Sequence, residues 1–541
     1  MKKLLLAALI LVTFTALGPT QVSAVTNNLV KVGLRYGSTA MSSANLENAE
    51  GAGYEFGYFD ANRNFVLLGR TDITTITMHA GSVSESAAGT HYMGEAESYA
   101  YRTTAPQPGQ TECYATFTEA AEAAAAQGGW PAWINGRYTV RSSAYAQTTE
   151  YSSTSVVVTK TGTTQILFEY DSGGARALGV QPAGNSTWFR GYKYAGGFEY
   201  PRASGGNLSV INVVSLEDYV KGIVPYEMLG SWPLAALEAQ AVCARTFVCG
   251  HTKHLSSQGF DVCATQDCQV YYGQGSGSNG PTSTSNQAVD NTAGLCIYYN
   301  GTIVQNAVYH SFDGGATEDG ANVWGTETGY LKGKLDPYES QTNVPNYSYT
   351  VTYTPAELSW ILDQKGHSVG TVQDAYVSEY TPLGNVYKVT FVGTSGTETV
   401  TGETCRTIFY SSTYNKSVTS MRFRINGKGA DSWGASGIST TGGLLSSLNG
   451  AAAITGSGAV ETVWGDAASA ITASGVAPVT SGTAVPAPVT SSGNNSGNFV
   501  ITGTGSGHNV GMSQYGAKAM AELGYDFRDI LEFYYTDITI N

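Results

Sequence analysis

One carboxylate in the chain is placed where it could transfer a proton. Glu227 lies between an apolar run that ends near Val224 and the start of a predicted helix, a loop position at which catalytic groups often occur. Its neighbours Tyr226, Met228 and Leu229 are aromatic or apolar. Desolvation in such surroundings raises the pKa of a carboxyl group and keeps a proton available for a leaving oxygen. An ordinary solvated loop carboxylate is the alternative interpretation.

Two cysteines, Cys263 and Cys268, could bind a metal or each other. Two thiolates with a short spacer suit tetrahedral zinc, which needs two further ligands. A disulfide and a pair of free thiols are the competing interpretations. The chain has seven cysteines, so at least one thiol is free or pairs between chains. A cysteine-protease site using Cys249 or Cys243 with His251 is not expected, because helical cysteines in apolar company usually belong to a core.

Short strands and a few helices must position these groups, which predicts a β-rich α+β fold. Ser231 is the predicted N-cap of a helix with Pro233 in its first turn. Ser513 and Asp526 are predicted caps of two short helices, with Gly524 as a stop between them. The predicted strands include residues 29–36, 64–68, 165–170, 188–192, 208–214, 295–299, 303–309, 386–392 and 420–424.

The composition excludes one class of partner. The 541 residues include 28 Lys and Arg against 42 Asp and Glu, a net charge of −14. Because nucleic-acid binding needs clustered cations, the chain is not expected to bind DNA or RNA, whereas an uncharged glycan remains compatible. At ~100–200 residues per domain, the length favours a few domains.

The N-terminus predicts export. Lys2 and Lys3 precede an apolar stretch over 4–17, and residues 22–24 offer a small-x-small cleavage site, so residues 1–24 are predicted to be a signal peptide. An uncleaved anchor is the alternative, although the apolar run is shorter than the ~20 residues of a spanning helix. The protein is expected to be soluble outside the cytoplasmic membrane, in the cell wall or at the membrane surface.

Two further segments differ in composition. Within a β-rich region over 25–160, the part near 110–150 predicts a helix over 118–127 that stops at Gly128, followed by two strands. This small α+β module resembles a degenerate half of a SPOR-type glycan-binding domain. Residues 426–498 are dominated by Gly, Ala, Ser and Thr, which favours a flexible linker over a low-complexity β-repeat insertion.

Five stretches of the chain resemble the SpoIID/LytB family, which comprises stage II sporulation protein D and the amidase enhancer LytB. The resemblance covers about 163–425 and 499–541, as a catalytic domain in two parts with the 426–498 segment between them. The longest and most specific of these motifs is the last. The matching stretches are LEDYVKGIVPYEM (216–228), AQAVCARTF (239–247), CQVYYG (268–273), HSFDGGAT (310–317) and GHNVGMSQYGA (507–517), which ILEFYY (530–535) follows.

The resemblance implies a lytic transglycosylase acting on peptidoglycan strands stripped of their stem peptides, with Glu227 as the catalytic residue. One carboxyl can suffice, because it first protonates the glycosidic oxygen and then removes the proton of the muramic C6 hydroxyl, which attacks C1. No water enters, so the paired carboxylates of a hydrolase are not required. A hydrolase would need a second carboxylate, such as Asp313 or Asp319, facing Glu227.

Polar and aromatic groups are expected around this acid for sugar binding. Ser513 and Gln514, at a helix N-terminus, could also stabilise developing negative charge. The acids Glu217, Asp218 and Glu238 are interpreted as structural. The substrate-binding candidates are Arg245, Tyr272, Ser311, Gly315, Thr317, His508, Ser513, Gln514 and Tyr515, each with capping or packing as its alternative role.

The resemblance also bears on the cysteine pair. Clostridial relatives hold a zinc here with cysteines and histidines, usually with a histidine just before the second cysteine. This chain has Asp267 at that place. The tentative ligand set is therefore Cys263, Cys268, Asp267 and His254, for a structural zinc that catalysis would not require.

A non-catalytic function is the main alternative. Relatives of the LytB type modulate a cell-wall amidase, and the SPOR-like module would supply glycan affinity. A pure binder would not need Glu227 in its apolar setting, which is the feature that favours the enzyme.

Overall fold

The computed structural model describes residues 27–80, 113–141, 154–203, 206–251, 253–277, 280–426 and 497–541, and the backbone of six short strands between 438 and 478. The predicted signal peptide and most of the 426–498 segment lie outside these residues. Strands predominate and helices are few, which confirms the α+β class.

Fifteen strands of the described residues form two sheets. They are β1 (Leu29–Arg35), β2 (Ser43–Asn48), β3 (Tyr54–Phe59), β4 (Phe65–Thr71), β5 (Thr75–His79), β6 (Trp130–Ile134), β7 (Arg137–Arg141), β8 (Val156–Lys160), β9 (Ile166–Asp171), β10 (Leu178–Pro182), β11 (Ser186–Phe189), β12 (Tyr192–Ala195), β13 (Gly197–Tyr200), β14 (Val210–Ser215) and β15 (Val262–Cys263). One sheet has the order β15-β1-β14-β13-β10-β3-β4, and the other β12-β11-β2-β5-β8-β9-β6-β7. Both sheets therefore contain strands from either side of the boundary predicted at 160–163.

The predicted helix and two strands near 110–150 form as expected. Helix α1 (Phe117–Gln127) is capped by the Thr116 side chain, and it stops at Gly128, which adopts a φ of 74°. Strands β6 and β7 form an antiparallel hairpin, and β6 pairs in parallel with β9. The hairpin is thus the edge of the eight-stranded sheet, and the resemblance to a SPOR-type module is not confirmed.

The other elements of the described residues build a helical layer and a second core. The helices are α2 (Leu216–Lys221), α3 (Val224–Glu227), α4 (Leu234–Gly250), α5 (Leu255–Gln258), α6 (Ser283–Asn291), α7 (Gly320–Trp324), α8 (Pro355–Gln364), α9 (Thr404–Thr407), α10 (Gln514–Glu522) and α11 (Phe527–Tyr534). The strands are β16 (Ile297–Tyr299), β17 (Thr302–Ile303), β18 (Tyr309–His310), β19 (Ser348–Tyr353), β20 (Val372–Tyr380), β21 (Val386–Gly393), β22 (Gly396–Thr401), β23 (Arg422–Ile425), β24 (Ile438–Thr440), β25 (Gly443–Leu445), β26 (Ala452–Ile454), β27 (Val460–Thr462), β28 (Ser469–Thr472), β29 (Gly475–Pro478), β30 (Phe499–Thr504), β31 (Met512–Ser513) and β32 (Ile538–Ile540).

Helix α4 is the centre of the helical layer, since α2, α3, α6, α10 and α11 all pack against it. Most of its side chains are buried. The helix begins at Leu234 with Pro233 as its N-cap, so the predicted N-cap at Ser231 is wrong. Ser231 instead belongs to a turn, in which the Trp232 amide donates to the Leu229 carbonyl over 2.9 Å.

The second core lies between residues 349 and 501. Strands β19, β30 and β23 form one small sheet, and β20, β21 and β22 form another. Their buried side chains, with those of α8, form an apolar cluster separate from the main core. Because β23 and β30 are antiparallel neighbours, the 426–498 segment leaves and re-enters the fold at adjacent strand ends.

The C-terminal residues return to the main core. Strand β31 pairs in parallel with β18, and β32 pairs with β16. Ser513 caps α10 and Asp526 caps α11, as predicted, and Gly524 between them has a φ of 95°. Within the described part of the chain, no helix is both long and apolar enough to cross a bilayer.

Candidate functional site

Glu227 is the last residue of α3, a single turn between α2 and α4. Pro225 lies in the first turn of α3, where its missing N–H is tolerated. Val224 and Met228 are buried on either side, so α3 is anchored by apolar side chains. The Glu227 side chain is thereby held at the surface of the main core.

Three groups from distant parts of the chain hydrogen-bond the Glu227 carboxyl. Gln514 Nε2 donates to Oε2 over 3.4 Å. The Tyr309 side chain and the backbone at Val270 also hydrogen-bond it. Burial raises the pKa of Glu227 above its ordinary value, and the three hydrogen bonds oppose this increase. The environment therefore favours the protonated carboxyl group. The three hydrogen-bond donors can stabilise the carboxylate when the proton leaves.

The GHNVGMSQYGA motif supplies Gln514. The Ser513 side chain accepts from the Gly516 amide and caps α10, which places Gln514 at the first helical position. Gln514 Nε2 also lies 3.3 Å from Gln240 Oε1, a side chain of α4 that is fully buried. Strand β31 and helix α4 thus fix Gln514 beside Glu227.

Aromatic rings flank the acid on two sides. The Tyr226 ring meets Tyr272 edge to face at 5.1 Å, and Tyr272 stacks on Tyr192 at 4.5 Å. Beyond Gln514, the Tyr515 ring meets Trp232 at 4.8 Å. Tyr272 and Tyr515 are both half-buried, so each presents some surface to a ligand. Their sugar-binding role stays a prediction.

Three of the predicted substrate-binding side chains are buried and already bonded. Arg245 is fully buried, and its guanidinium forms an ion pair with Glu217 at 2.7 Å. Thr317 Oγ1 accepts from the Lys334 amide over 2.8 Å. Ser513 Oγ donates to a carboxylate oxygen of Glu339. These three side chains are buried, and their polar groups make contacts inside the protein. Their role in sugar binding stays a prediction.

The remaining candidates surround β18 and β31. The His508 Nδ1 accepts from the Val510 amide over 3.1 Å, its ring also hydrogen-bonds the backbone of Tyr309, and burial lowers its pKa to about 4. Ser311 is half-buried. Gly315 has a φ of 118°, and an added Cβ would meet nothing closer than the Tyr347 hydroxyl at 3.8 Å. His508 is therefore neutral, and its hydrogen bonds hold the backbone of Val510 and Tyr309 in place.

Neither carboxylate considered for a hydrolase faces Glu227. Asp313 is fully buried and lies against Asp336 and Glu339, within 4.8 Å. Asp319 caps α7 and forms an ion pair with Lys332 at 3.1 Å. Both are committed to other contacts.

The tentative metal ligands do come together. One ligand atom from each of His254, Cys263, Asp267 and Cys268 lies within 4.8 Å of the others. The buried His254 Nε2 makes no hydrogen bond, although Asp267 Oδ2 is 3.3 Å away. Lys253 contacts the other Asp267 oxygen at 2.6 Å. Two thiols, an imidazole with a free nitrogen and a carboxylate fit tetrahedral zinc.

Sequence reasoning missed several residues of the site. Tyr309, Gln269 and Gln240 reach Glu227 or its partners. His251 Nε2 lies 3.8 Å from the Cys268 sulfur, beside the metal ligands. Tyr309 precedes the HSFDGGAT motif and Gln269 is inside CQVYYG, so proximity to a motif was their only sequence signal.

Comparison with known proteins identifies relatives. The family model described as Stage II sporulation protein (SpoIID) matches residues 204–299. The chain is 29% identical over 351 residues to the amidase enhancer of Bacillus subtilis, covering 59% of this chain and 40% of that protein. It is 32% identical over 170 residues to stage II sporulation protein D of Bacillus subtilis, covering 29% of this chain and 48% of that protein. A match to stage II sporulation protein D of Bacillus amyloliquefaciens is 28% identical over 349 residues, covering 62% of this chain and 76% of the relative. The chain thus spans less than half the length of the two Bacillus subtilis relatives.

Proposed function

Because this chain belongs to the SpoIID/LytB family, we propose that it is an exported lytic transglycosylase of a sporulation cell wall. Its substrate would be peptide-stripped peptidoglycan, cut between N-acetylmuramic acid and N-acetylglucosamine. The single observation that carries the proposal is the partly desolvated carboxyl of Glu227, which is hydrogen-bonded by neutral donors and faces no second acid among its described partners.

The geometry suits a single carboxyl group that acts first as an acid and then as a base. Burial raises the pKa of Glu227 and so favours its protonated form, which would donate the proton to the glycosidic oxygen as the bond to C1 breaks. The resulting carboxylate accepts hydrogen bonds from Gln514 and Tyr309, which stabilise it until it takes the proton of the C6 hydroxyl. That hydroxyl then closes on C1 and leaves a 1,6-anhydro end, without water.

The test is a digest of peptide-stripped glycan strands, read by mass spectrometry. The 25–541 fragment should release anhydro-ended products, and Glu227→Gln should lower the rate by about 10²–10⁴-fold, since it cannot exchange a proton. Glu238→Gln is the matched control, because Glu238 lies on α4 and bonds Asn291 at 2.7 Å. Reducing ends from the wild type would indicate hydrolysis instead.

The second candidate function is non-catalytic enhancement of a cell-wall amidase, which the similarity to the amidase enhancer favours. In that case both the wild type and Glu227→Gln would leave the strands intact. They would also stimulate a purified cell-wall amidase equally. Loss of stimulation in Glu227→Gln alone would count against this candidate.

We also propose a structural zinc held by Cys263, Cys268, His254 and Asp267. Zinc would supply a cross-link between the loop that follows β15 and the residues before α5, and no catalytic step depends on it. The unbonded His254 nitrogen and the adjacent thiols support this assignment. A Cys263–Cys268 disulfide is the alternative that the test below distinguishes.

A further inference from the structure

A directed row of hydrogen bonds ends at Glu227. The Tyr219 hydroxyl donates to Gln269 Oε1 over 2.9 Å, and Gln269 Nε2 donates to the Tyr309 hydroxyl oxygen over 3.2 Å. Tyr309 in turn hydrogen-bonds the Glu227 carboxyl. Because the Tyr309 oxygen accepts from Gln269, its own proton is directed to Glu227.

The direction of this row is set by buried groups. Tyr219 is fully buried and Gln269 is 2% exposed, so neither has water as an alternative partner. A tyrosine hydroxyl could also accept from the Gln269 NH₂ group, but the buried Tyr219 proton would then lack an acceptor among the described residues. This favours the orientation in which the Gln269 oxygen faces Tyr219. The three members come from α2, from the segment after Cys268 and from β18.

We propose that Tyr309 is a positioning residue that keeps a hydrogen bond on Glu227 through the reaction, and that Tyr219 and Gln269 set its direction. The proposal rests on Glu227 being the acid–base of the proposed function. It also gives the segment after Cys268 a role at the site, because Val270 contacts Glu227 through its backbone.

Of the groups in this row, Glu227 is the one that titrates between acidic and neutral pH, but two neighbours of the row titrate there as well. Burial raises the pKa of Glu339, which bonds Ser513 beside Gln514, to about 7, and the Cys263 thiol lies close enough to act on Tyr219. Burial raises the pKa values of Tyr309 and Tyr219 well above their ordinary value. The nearby Cys243 thiol is fully buried, which raises its pKa to about 12. The side chains of Gln514, Gln240 and Gln269 are uncharged. The titration of the Glu227 carboxyl itself therefore has to be followed, because a bulk titration would also include Glu339 and Cys263.

The first variant is Tyr309→Phe, which removes the hydroxyl and keeps the ring. A hydrogen bond to the ionised form lowers a carboxyl pKa, so its loss should raise the pKa of Glu227 further. The alkaline limb of kcat/KM should then move to higher pH, because the acid must be protonated in the free enzyme. We expect kcat to fall about tenfold, the usual effect of one lost hydrogen bond to a charged group.

The second variant, Tyr219→Phe, tests whether Tyr219 sets the direction of the hydrogen bonds in the row. It also provides the test if Tyr309→Phe fails to fold. Without the Tyr219 proton, the Gln269 amide can reverse and accept from Tyr309, which diverts the Tyr309 proton from Glu227. The pKa of Glu227 should therefore rise again, but by less than in Tyr309→Phe. Tyr271→Phe is the matched control, since Tyr271 is 1% exposed, packs 5.1 Å from Tyr219 and donates to Asn212 instead.

Two readouts separate this proposal from the proposed function. One is the pH profile of the glycan digest. The other is ¹³C NMR titration of the Glu227 carboxyl in the full chain, assigned with Glu227→Gln, which needs no activity. A higher Glu227 pKa in Tyr309→Phe and Tyr219→Phe, but not in Tyr271→Phe, is the expected result. If the Glu227 titrations of the wild type and of both row variants superimpose, the proposal is overturned even if the glycan digest succeeds. If the titrations shift as expected but the protein is inactive, only the proposed transglycosylase activity is overturned.

Discussion

At the scale of single residues, three buried carboxyl groups lie close together near the start of α10. Asp313 is fully buried, Asp336 is 5% exposed and Glu339 is 1% exposed. Glu339 accepts from Ser513, the cap of α10, and Asp336 accepts from Tyr534. Burial raises the pKa of Glu339 to about 7, and burial also raises the pKa values of Asp313 and Asp336. The cluster therefore holds protons at a pH where ordinary carboxyls have lost them.

This cluster predicts a pH-dependent stability. A carboxyl whose pKa is raised on folding binds more protons in the folded state, so its contribution is full at low pH and is lost as pH rises through the folded value. Asp313→Asn places a neutral amide beside Asp336 in place of a carboxyl. The free energy of unfolding of the variant should exceed that of the wild type at pH 8, and this difference should become smaller as the pH falls towards 4.

Denaturant unfolding at a series of pH values measures this difference. Asp319→Asn is the control, because Asp319 caps α7 and lies outside the buried cluster. A uniform destabilisation of Asp313→Asn at every pH would show that Asp313 is ionised in the folded protein.

At the scale of elements, one short segment connects the proposed zinc ligands to Glu227. Cys263 ends β15, Cys268 follows a turn, and Gln269 and Val270 then contact Tyr309 and Glu227. A cross-link between the two cysteines would also restrict the backbone of the residues that follow them. It would therefore help to position Gln269 and Val270 against Tyr309 and Glu227.

Elemental analysis of the purified chain tests the proposed zinc. We expect about one zinc per chain, lost in Cys268→Ser together with several degrees of Tm, since metal binding contributes to folding. Cys405→Ser is the control, because Cys405 is buried in the second core, where its thiol bonds the Val400 carbonyl. A chain without zinc and about 2 Da lighter than the reduced mass would indicate a Cys263–Cys268 disulfide instead.

At the scale of the whole molecule, the residues that flank the 426–498 segment lie side by side in one small sheet. Arg422 pairs with Thr504 and Ile425 with Ile501, and the Asn426 amide donates to the Val500 carbonyl over 2.6 Å. The two ends of the segment are therefore held together by a strand pair that does not depend on what lies between them.

Deletion of residues 429–496, with a short turn in their place, should leave the second core folded. Shortening the connection from about 70 to about four residues lowers the entropy cost of closure by about 2 kcal/mol. Calorimetry should show an unchanged or higher Tm, and the glycan digest should proceed at the wild-type rate. A second variant, in which a Gly/Ser segment of the original length replaces residues 429–496, distinguishes an effect of the segment's sequence from an effect of its length. Loss of the unfolding transition of the second core in the deletion variant would contradict the prediction.

Local patterns in the sequence predicted several of the elements, although the predicted strand over 303–309 is two short strands, β17 and β18, with irregular backbone between them. Alternation over 29–36 predicted β1, and Gly128 marked the end of α1. Ser513 and Asp526 cap their helices as expected, whereas Ser231 does not. These features depend on residues within a few positions of one another, which the sequence displays directly. The family motifs likewise indicated Glu227 and its apolar neighbours.

Only the tertiary structure decided which residues meet. The pairing of β1 with β14, the burial of Arg245 against Glu217 and the row from Tyr219 to Glu227 join residues far apart in the chain. A residue's type states which hydrogen bonds it can form but not which partner it finds. The four metal ligands were proposed together from resemblance, and the packing of the loop after β15 brought them within reach. Burial decides whether a polar group faces a ligand or the core, and burial exists only once the sheets and helices have packed.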